Sequence, residues 1–361
     1  MIEKNFVFEP KHTVNLTDGS ICWQSPSNIA LVKYWGKTEP QIPKNTSISF
    51  TLSNCFTTTS LIYIPKNTPS KTIDFKVIFE GKENEDFKPK IKSFFERIAV
   101  YVPFIQAYEF EIHTQNSFPH SSGIASSASG MSALALCLMR IEKSLNPEIS
   151  EAYFLKKASF LSRLGSGSAC RSVEGPLIVW GKHPNIIGSN DLYGIKYPGD
   201  LHPVFKTFQD TILLVDRGVK QVSSTVGHGL MTDHPFAEAR FKQAQDHIVK
   251  MIQVLKEGNL DTFVEIVEKE ALSLHAMMMS SDPYFMLMKP NTLKIIENIW
   301  DFRKKSKTHI CFTLDAGANV HVLYPEKDKE LVNNFIASDL IEFCENNHYI
   351  YDEAGPGANP L

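Results

Sequence analysis

The sequence predicts an α+β protein of two domains, and three observations predict it. The first half alternates apolar and polar residues in the manner of half-buried strands. The second half is dominated by long helical patterns. The two kinds of element are segregated, without the regular β-α-β alternation of a doubly wound sheet. A chain of 361 residues has ample material for two cores. The turn-like stretch GKHPNIIGSNDLYGIKYPGD is the natural place for a boundary, giving expected domains of residues 1–195 and 196–361.

Taken in order, SISFTLS sets Ile48, Phe50 and Leu52 against serine and threonine. KTIDFKVIFE does the same with Ile73, Phe75, Val77 and Phe79, and YEFEIHT with Tyr108, Phe110 and Ile112. Period two over such runs is a strand facing a core on one side. Between the last two, DFKPKIKSFFERIAVYV brings Ile91, Phe94, Phe95 and Ile98 to one helical face. A central helix with Met131, Leu134, Leu138 and Ile141 at turn spacing follows, then a second, ISEAYFLKKASFLSRL. The second half opens with a strand, TILLVD. Helices are predicted from about Phe236 to Lys256, over LDTFVEIVEKEALSLHAMM and over TLKIIENIWDFRKK. Strands HICFTL and VHVLYP flank the DAGAN turn, and a last helix over KELVNNFIASDLIEFCEN precedes a glycine-rich end.

Composition bounds the function. Formal net charge is -3, with 43% hydrophobic and 21% charged residues, as in ordinary globular proteins. Without a global basic footprint, nucleic acid is not an expected partner. No apolar run is long enough for a membrane span, and the N-terminus lacks the apolar core of a signal peptide. The six cysteines are scattered with no CxxC pair, which fits free thiols in a reducing cytoplasm. An anionic substrate would have to be met by a local cluster of cations.

The most informative stretch is FPHSSGIASSASGMSALALCLMRI, residues 118–141. Small residues let a backbone close around an anion, and the first amides of the helix they open have no internal partners. This is the chemistry of a phosphate cradle, although neither GxxxxGK[ST] nor GxGxxG is present. The same composition also suits a helix start packed on a sheet. Three other segments carry candidate chemistry. In SPSNIALVKYWGK, Lys33 sits in an apolar strand pattern and Lys37 lies beside a Tyr-Trp pair; they suit anion binding or two surface lysines on an edge strand. In GSGSACRS, Arg171 follows a small-residue loop and suits a carboxylate or phosphate clamp, or a plain surface turn. In CFTLDAGANVHV, Asp315 stands where a strand stops, as a base or orienting group or as the cap of its own turn.

Together these segments form one ordered set. PHSSGIASSA resembles the phosphate-binding motif of the GHMP kinase superfamily. With NIALVKYWGK, NTSISFTLS, GSGSACRS, DAGAN and the VSST of residues 222–225, the chain from about Ser25 to its terminal GPG resembles the mevalonate diphosphate decarboxylase family. The resemblance implies a GHMP-kinase-like fold: an N-terminal domain like the second domain of ribosomal protein S5, and a C-terminal ferredoxin-like α/β sandwich.

It further implies ATP-dependent decarboxylation of mevalonate 5-diphosphate by a cytoplasmic homodimer. The alternative is a kinase of the same fold acting on mevalonate or a mevalonate phosphate without loss of CO2. By the resemblance, Ser121, Ser122, Gly123, Ala125, Ser126 and Ser127 would hold ATP, with Ser127 also on Mg2+. Tyr34, Trp35, Lys37, Ser166, Ser168, Arg171, Ser224 and Thr225 would bind substrate. Asp315, Lys33 and Arg171 would act in the reaction. The chain departs from the family pattern in FPHSSG for FPTAAG, which places His120 at the loop mouth, and in DAGAN for DAGPN. Near residues 84–92 it also lacks an arginine that some members place on the diphosphate, leaving Lys88 or Lys90 to stand in.

Overall fold

In the computed structural model, residues 2–10, 17–120, 123–216 and 224–361 are described. The chain runs through strands Gly19–Val32 (β1), Lys37–Thr38 (β2), Ile42–Pro43 (β3), Ser47–Pro65 (β4), Asp74–Phe79 (β5) and Lys82–Glu83 (β6) to helix Lys88–Ile98 (α1). Strand Tyr108–Asn116 (β7), helices Ser126–Leu145 (α2) and Glu151–Gly165 (α3), and strands Leu177–Trp180 (β8) and Ile195–Lys196 (β9) complete the first half. The second half has strand Gln209–Leu213 (β10), then helices Ser224–Gly229 (α4), Ala237–Glu257 (α5), Leu260–Met279 (α6) and Pro290–Ser306 (α7). Strands Cys311–Thr313 (β11) and Val320–Tyr324 (β12), helix Lys329–Phe335 (α8), and strands Tyr349–Glu353 (β13) and Asn359–Pro360 (β14) follow.

The first sheet has the order β14-β1-β4-β7-β5-β6, with β8 on β4 and β9 on β8. The second has the order β11-β12-β10-β13 and is antiparallel throughout. The fold is therefore α+β with two domains, as the segregation of patterns predicts. The chain's last residues depart from a simple division, because β14 returns to pair with β1 of the first sheet.

Most predicted elements are present, with boundary shifts that have physical causes. The face predicted for α1 (Ile91, Phe94, Phe95 and Ile98) is the face it buries. Helix α2 is buried almost all round, because it lies between the sheet and α3. The two helices are joined by a fully buried ion pair: Lys157 Nζ donates to Glu142 Oε1 and Oε2 at 2.8 and 2.6 Å. The SISFTLS segment is not half-buried as expected. Residues 47–52 are buried on both faces, because α5 and α6 cover the side facing away from the first domain's own helices. Lys33 does not lie within a strand: β1 stops at Val32 and the Lys33 amide leaves the ladder for a side chain of α6. The predicted last helix is regular only to Phe335 and then unwinds through wider and tighter turns. Strand β13 has no counterpart in the sequence reading, because five residues at a sheet edge carry too short a pattern.

One carboxylate couples the sheets. Asp352 of β13 is 4% exposed. Its Oδ1 accepts from the amides of Ser53 and Asn54 at 2.7 and 2.8 Å, and its Oδ2 accepts from that of Cys55 at 2.8 Å. These amides belong to β4, so the second sheet's edge is tied into the first sheet's longest strand. Asp352→Ala orphans three donors, that of Cys55 fully buried, and is expected to cost about 2–4 kcal/mol. A lowered thermal midpoint by circular dichroism, with native secondary structure kept below it, is the measurement that checks this.

Candidate active site

A cavity of about 720 Å³ opens between the two domains. Its walls carry Lys33, Tyr34, Trp35, Lys37, Gly123, Ala125, Ser126, Ser127, Ser166, Ser168, Arg171 and Asp315, so residues from four separate sequence segments meet there. Ser121 and Ser122 lie outside the described residues. Ser224 and Thr225 open α4, whose Gly227 packs on Trp35 and whose His228 lines the cavity; their own side chains are not among those described. The cavity is lined by five cationic side chains (Lys33, Lys37, Lys90, Arg97, Arg171) against three carboxylates (Glu39, Asp86, Asp315). The local basic excess that an anionic substrate requires is present in an acidic chain.

The phosphate loop is shaped by backbone. Gly123 has φ +85, a region closed to most side chains, and a Cβ there would meet only the Cα of Gly317 at 3.9 Å. Ala125, the residue before α2, is also left-handed at φ 46. Ser27 Oγ donates to the Ile124 carbonyl at 2.6 Å and pins the loop to β1. The start of α2 then faces the cavity with Ser126 and Ser127, whose hydroxyls approach His120 Nδ1 at 3.4 Å and Ser166 Oγ at 3.3 Å. His120 is wedged between the rings of Phe79 and Phe87 at 5.2 and 5.0 Å.

Opposite the loop stands the DAGAN turn. The Gly317 amide closes it onto the Asp315 carbonyl at 2.7 Å. His275 Nε2 lies 3.1 Å from the same carbonyl, and Thr292 Oγ1 donates to the Ala318 carbonyl at 2.7 Å, so α6 and α7 hold the turn in place. The Asp315 carboxylate accepts from Lys33 Nζ at 2.9 Å, which joins the two domains across the cleft. Burial draws the Lys33 ammonium below its ordinary range, and Asp315 and then Glu270 pull it partly back. The Lys33 amide donates to Glu270 Oε2 at 2.8 Å. Glu270 is completely buried and also bonds Arg240 and His247 of α5.

Arg171 is 4% exposed and held by two polar side chains: its Nε donates to Asn28 Oδ1 at 3.3 Å and its Nη1 to Ser47 Oγ at 2.5 Å. Nη2 makes no hydrogen bond among the described residues. Tyr34 packs against Trp180 and His228, and its hydroxyl is buried without a hydrogen-bond partner among the described residues. A buried orphan hydroxyl on a cavity wall is a group waiting for a ligand oxygen. Gly167 makes room for it, since a Cβ there would sit 2.8 Å from the Tyr34 oxygen. Trp35 is buried against Met231, Ala237, Leu274 and Met278, and so forms an apolar wall. Lys37 Nζ donates to Gln41 Oε1 at 2.9 Å.

The comparisons with known proteins place the chain in a family. The sequence profile described as "Diphosphomevalonate decarboxylase-like N-terminal domain" matches residues 25–191, and that described as "Mevalonate 5-diphosphate decarboxylase C-terminal domain" matches residues 211–355. The chain belongs to the diphosphomevalonate decarboxylase family. The diphosphomevalonate decarboxylase of Gibberella zeae is 28% identical over 85% of this chain and 81% of its own length; that of Bos taurus is 26% identical over 82% and 75%. Among solved structures, the mevalonate diphosphate decarboxylase from Enterococcus faecalis superposes with a TM-score of 0.80 at 26% identity, covering 96% of this chain and 99% of that one. A structure described as MDDEF in complex with MVAPP, AMPPCP and magnesium gives 0.81 at 27% identity over the same shares.

Of the two lysines on α1 that the family pattern left to stand in for an arginine, Lys88 turns outward to Glu83 and Glu85, while Lys90 lines the cavity. Sequence reasoning missed Asn28, Ser47, Glu270 and His228. The only signal for the Glu270 cluster is that Arg240 and His247 occupy apolar-face positions of α5, which calls for buried partners.

His228 and His275 give the site a pH signature. His228 Nδ1 accepts from the Gly36 amide at 3.0 Å, which leaves its proton on Nε2. Burial, then the charges of Lys37 and Arg171, push its pKa down to about 3. Burial does the same to His275, to about 4. Both groups bind a proton more readily in the unfolded chain, whose histidines titrate near the ordinary 6.5. The stability they contribute is therefore full above that value and is lost as pH falls toward the folded values. We expect the urea midpoint to drop between pH 7 and pH 5. His228→Asn, which keeps an acceptor for the Gly36 amide, should flatten that slope; an unchanged slope would show that His228 is not its source.

Proposed function

We infer that this chain catalyses the ATP-dependent decarboxylation of mevalonate 5-diphosphate to isopentenyl diphosphate, releasing ADP, phosphate and CO2. The observation that carries the reading is the Lys33–Asp315 pair set across the cleft from a glycine- and serine-lined helix start. Family membership over both halves of the chain supports it. As a proposal about the assembly, the enzyme works as a cytoplasmic homodimer; family resemblance supports the dimer, and six free thiols suit a reducing compartment.

The substrate carries a carboxylate, a tertiary alcohol and a diphosphate. In our reading Asp315 orients the C3 hydroxyl and takes its proton as the oxygen attacks the γ-phosphoryl of ATP. Tertiary alcohols are crowded nucleophiles, so positioning is the larger part of the task. Lys33 steers the Asp315 carboxylate and offsets negative charge as the phosphoryl group transfers. Arg171, anchored through Nε and Nη1, turns its free edge to the substrate carboxylate. Tyr34, Ser166, Ser168 and Lys37 receive the diphosphate, and the family resemblance adds Ser224 and Thr225 to them. Once C3 carries phosphate, its departure leaves positive charge that the C1–C2 bonding pair fills, so that CO2 leaves and the alkene forms.

The helix start suits nucleotide phosphates, because an α-helix opens on amides without i−4 partners, here turned back only in part by the Ala128 amide onto the Ala125 carbonyl at 2.7 Å, and Gly123 leaves its mouth open. No group of three or more His, Cys, Asp or Glu side chains suited to a metal occurs among the described residues. Ser127 would be the chain's own contribution to holding a magnesium ion, which would otherwise bind through the substrate phosphates, as that ion commonly does. When bound, it neutralises charge on the transferring phosphate.

Asp315→Asn keeps the shape and removes the base. Substrate affinity should hold within a few-fold while kcat falls by roughly 10²- to 10⁴-fold, with ADP and CO2 yields falling together. Arg171→Ala should impair binding as well as rate. ADP without CO2 in the wild type would instead mean a kinase.

For the nucleotide, Gly123→Val places a branched side chain at a left-handed position facing Gly317 and should abolish ATP binding by calorimetry, whereas Ser121→Ala should weaken it only modestly. Unchanged affinity in a folded Gly123→Val protein would put the nucleotide elsewhere.

A further inference from the structure

Glu39 bridges two cations on the cavity wall. Its Oε1 lies 3.3 Å from Lys37 Nζ, and its Oε2 accepts from Arg97 Nη2 at 3.3 Å. Both contacts are long for charge-assisted hydrogen bonds, which settle near 2.7–2.9 Å, and the Glu39 side chain is 61% exposed. The cations are held independently of it. Lys37 is 9% exposed and anchored on Gln41. Arg97 Nη1 donates at 2.9 Å to the carbonyl of Leu164, next to the glycine-serine loop. The backbone beneath Glu39 is fixed too, because the buried Arg163 guanidinium donates to the carbonyls of Pro40 and Gln41 at 2.5 and 3.2 Å. The cations are preorganised, and only the anion between them is loose.

We propose that Glu39 holds the place of the substrate's terminal phosphate, and that Arg97, with Lys37, is the residue that binds that phosphate once Glu39 swings out. This rests on the substrate named above. Arg97 lies seven residues after Lys90, two turns along the same face of α1, and both line the cavity. It is the guanidinium that the sequence of the first turns of α1 lacks. A phosphate carries more charge than a carboxylate and three acceptor oxygens, so it can span the two cations at shorter range and displace Glu39. The inner phosphate is met by Tyr34, Ser166 and Ser168; the outer one reaches Lys37 and Arg97. Arg97 therefore selects a diphosphate over a monophosphate.

The test measures steady-state kinetics with ATP and mevalonate 5-diphosphate. Calorimetric affinities for the 5-diphosphate and the 5-monophosphate accompany it. Arg97→Gln should raise the KM and Kd for the diphosphate about 10- to 100-fold, at and below the low end for a buried charge pair because the Arg97 side chain is 33% exposed. The kcat should stay within about two-fold, and the KM for ATP and the Kd for the monophosphate should be unchanged. Arg97→Lys should recover part of the loss. Glu39→Gln, which removes the internal competitor, should tighten diphosphate binding. If Arg97→Gln weakens both ligands equally, or neither, or if Glu39→Gln loosens the diphosphate, the inference fails while the reaction stands. A wild-type enzyme that neither binds the diphosphate nor releases CO2 would overturn the reaction itself, and this inference with it.

Discussion

The site depends on one ion pair made across a domain boundary. Lys33 comes from the end of β1 and Asp315 from the turn after β11, with 2.9 Å between Nζ and Oδ1. A buried pair of this kind adds little net stability, because the desolvation of both charges offsets most of their attraction. Its value here is placement. The Lys33 amide is held by Glu270, and the Asp315 carbonyl lies within hydrogen-bond distance of His275, so both partners are fixed by α6 before they meet. One helix of the second domain thus sets the position of a residue from each domain.

The rest of the cleft divides by chemistry. The nucleotide side is built from backbone, small residues and hydroxyls, and Gly123 lies against Gly317 with nothing larger between them. A methyl at either position would just touch the other glycine, at 3.9 and 3.6 Å, so anything larger would press the domains apart. The other side is built from long cations anchored by hydrogen bonds: buried Arg171 on Asn28 and Ser47, nearly buried Lys37 on Gln41, and half-buried Arg97 on the Leu164 carbonyl. Preorganised donors lower the ordering cost of binding a flexible, highly charged ligand. Neutral histidines complete the wall. His228 stays uncharged first because it is buried away from water, and then because a charge there would face Lys37 and Arg171.

Second-domain packing explains why the site is rigid where it must be. The strand segment 47–52 is covered on both sides, and the Asp352 carboxylate gathers three amides of β4 just beyond it. Ser47, which anchors Arg171, therefore sits on backbone that cannot shift without breaking the contact between sheets.

Residue by residue, much of this was legible from the chain alone. Period-two and helical patterns located the strands β4, β5 and β7 and the helices α1 to α3 and α5 to α7, because one-sided burial writes itself into sequence as periodicity. The small-residue run before α2 and the ordered motifs around Lys33, Arg171 and Asp315 pointed to a phosphate-handling cleft through their resemblance to a known family, since each segment alone also suits an ordinary structural role. What the chain alone left open was decided by long-range contact. Whether Lys33 lies in a strand or leaves it depends on Glu270, 237 positions away. That Arg97 joins Lys90 on the cavity wall depends on Leu164 and on a hairpin from β2 and β3. Short edge strands such as β13 exist only because β10 offers them a partner. Local patterns record which face of an element is dry; they carry no information on which distant group lies against it, and that is settled only when the two domains close.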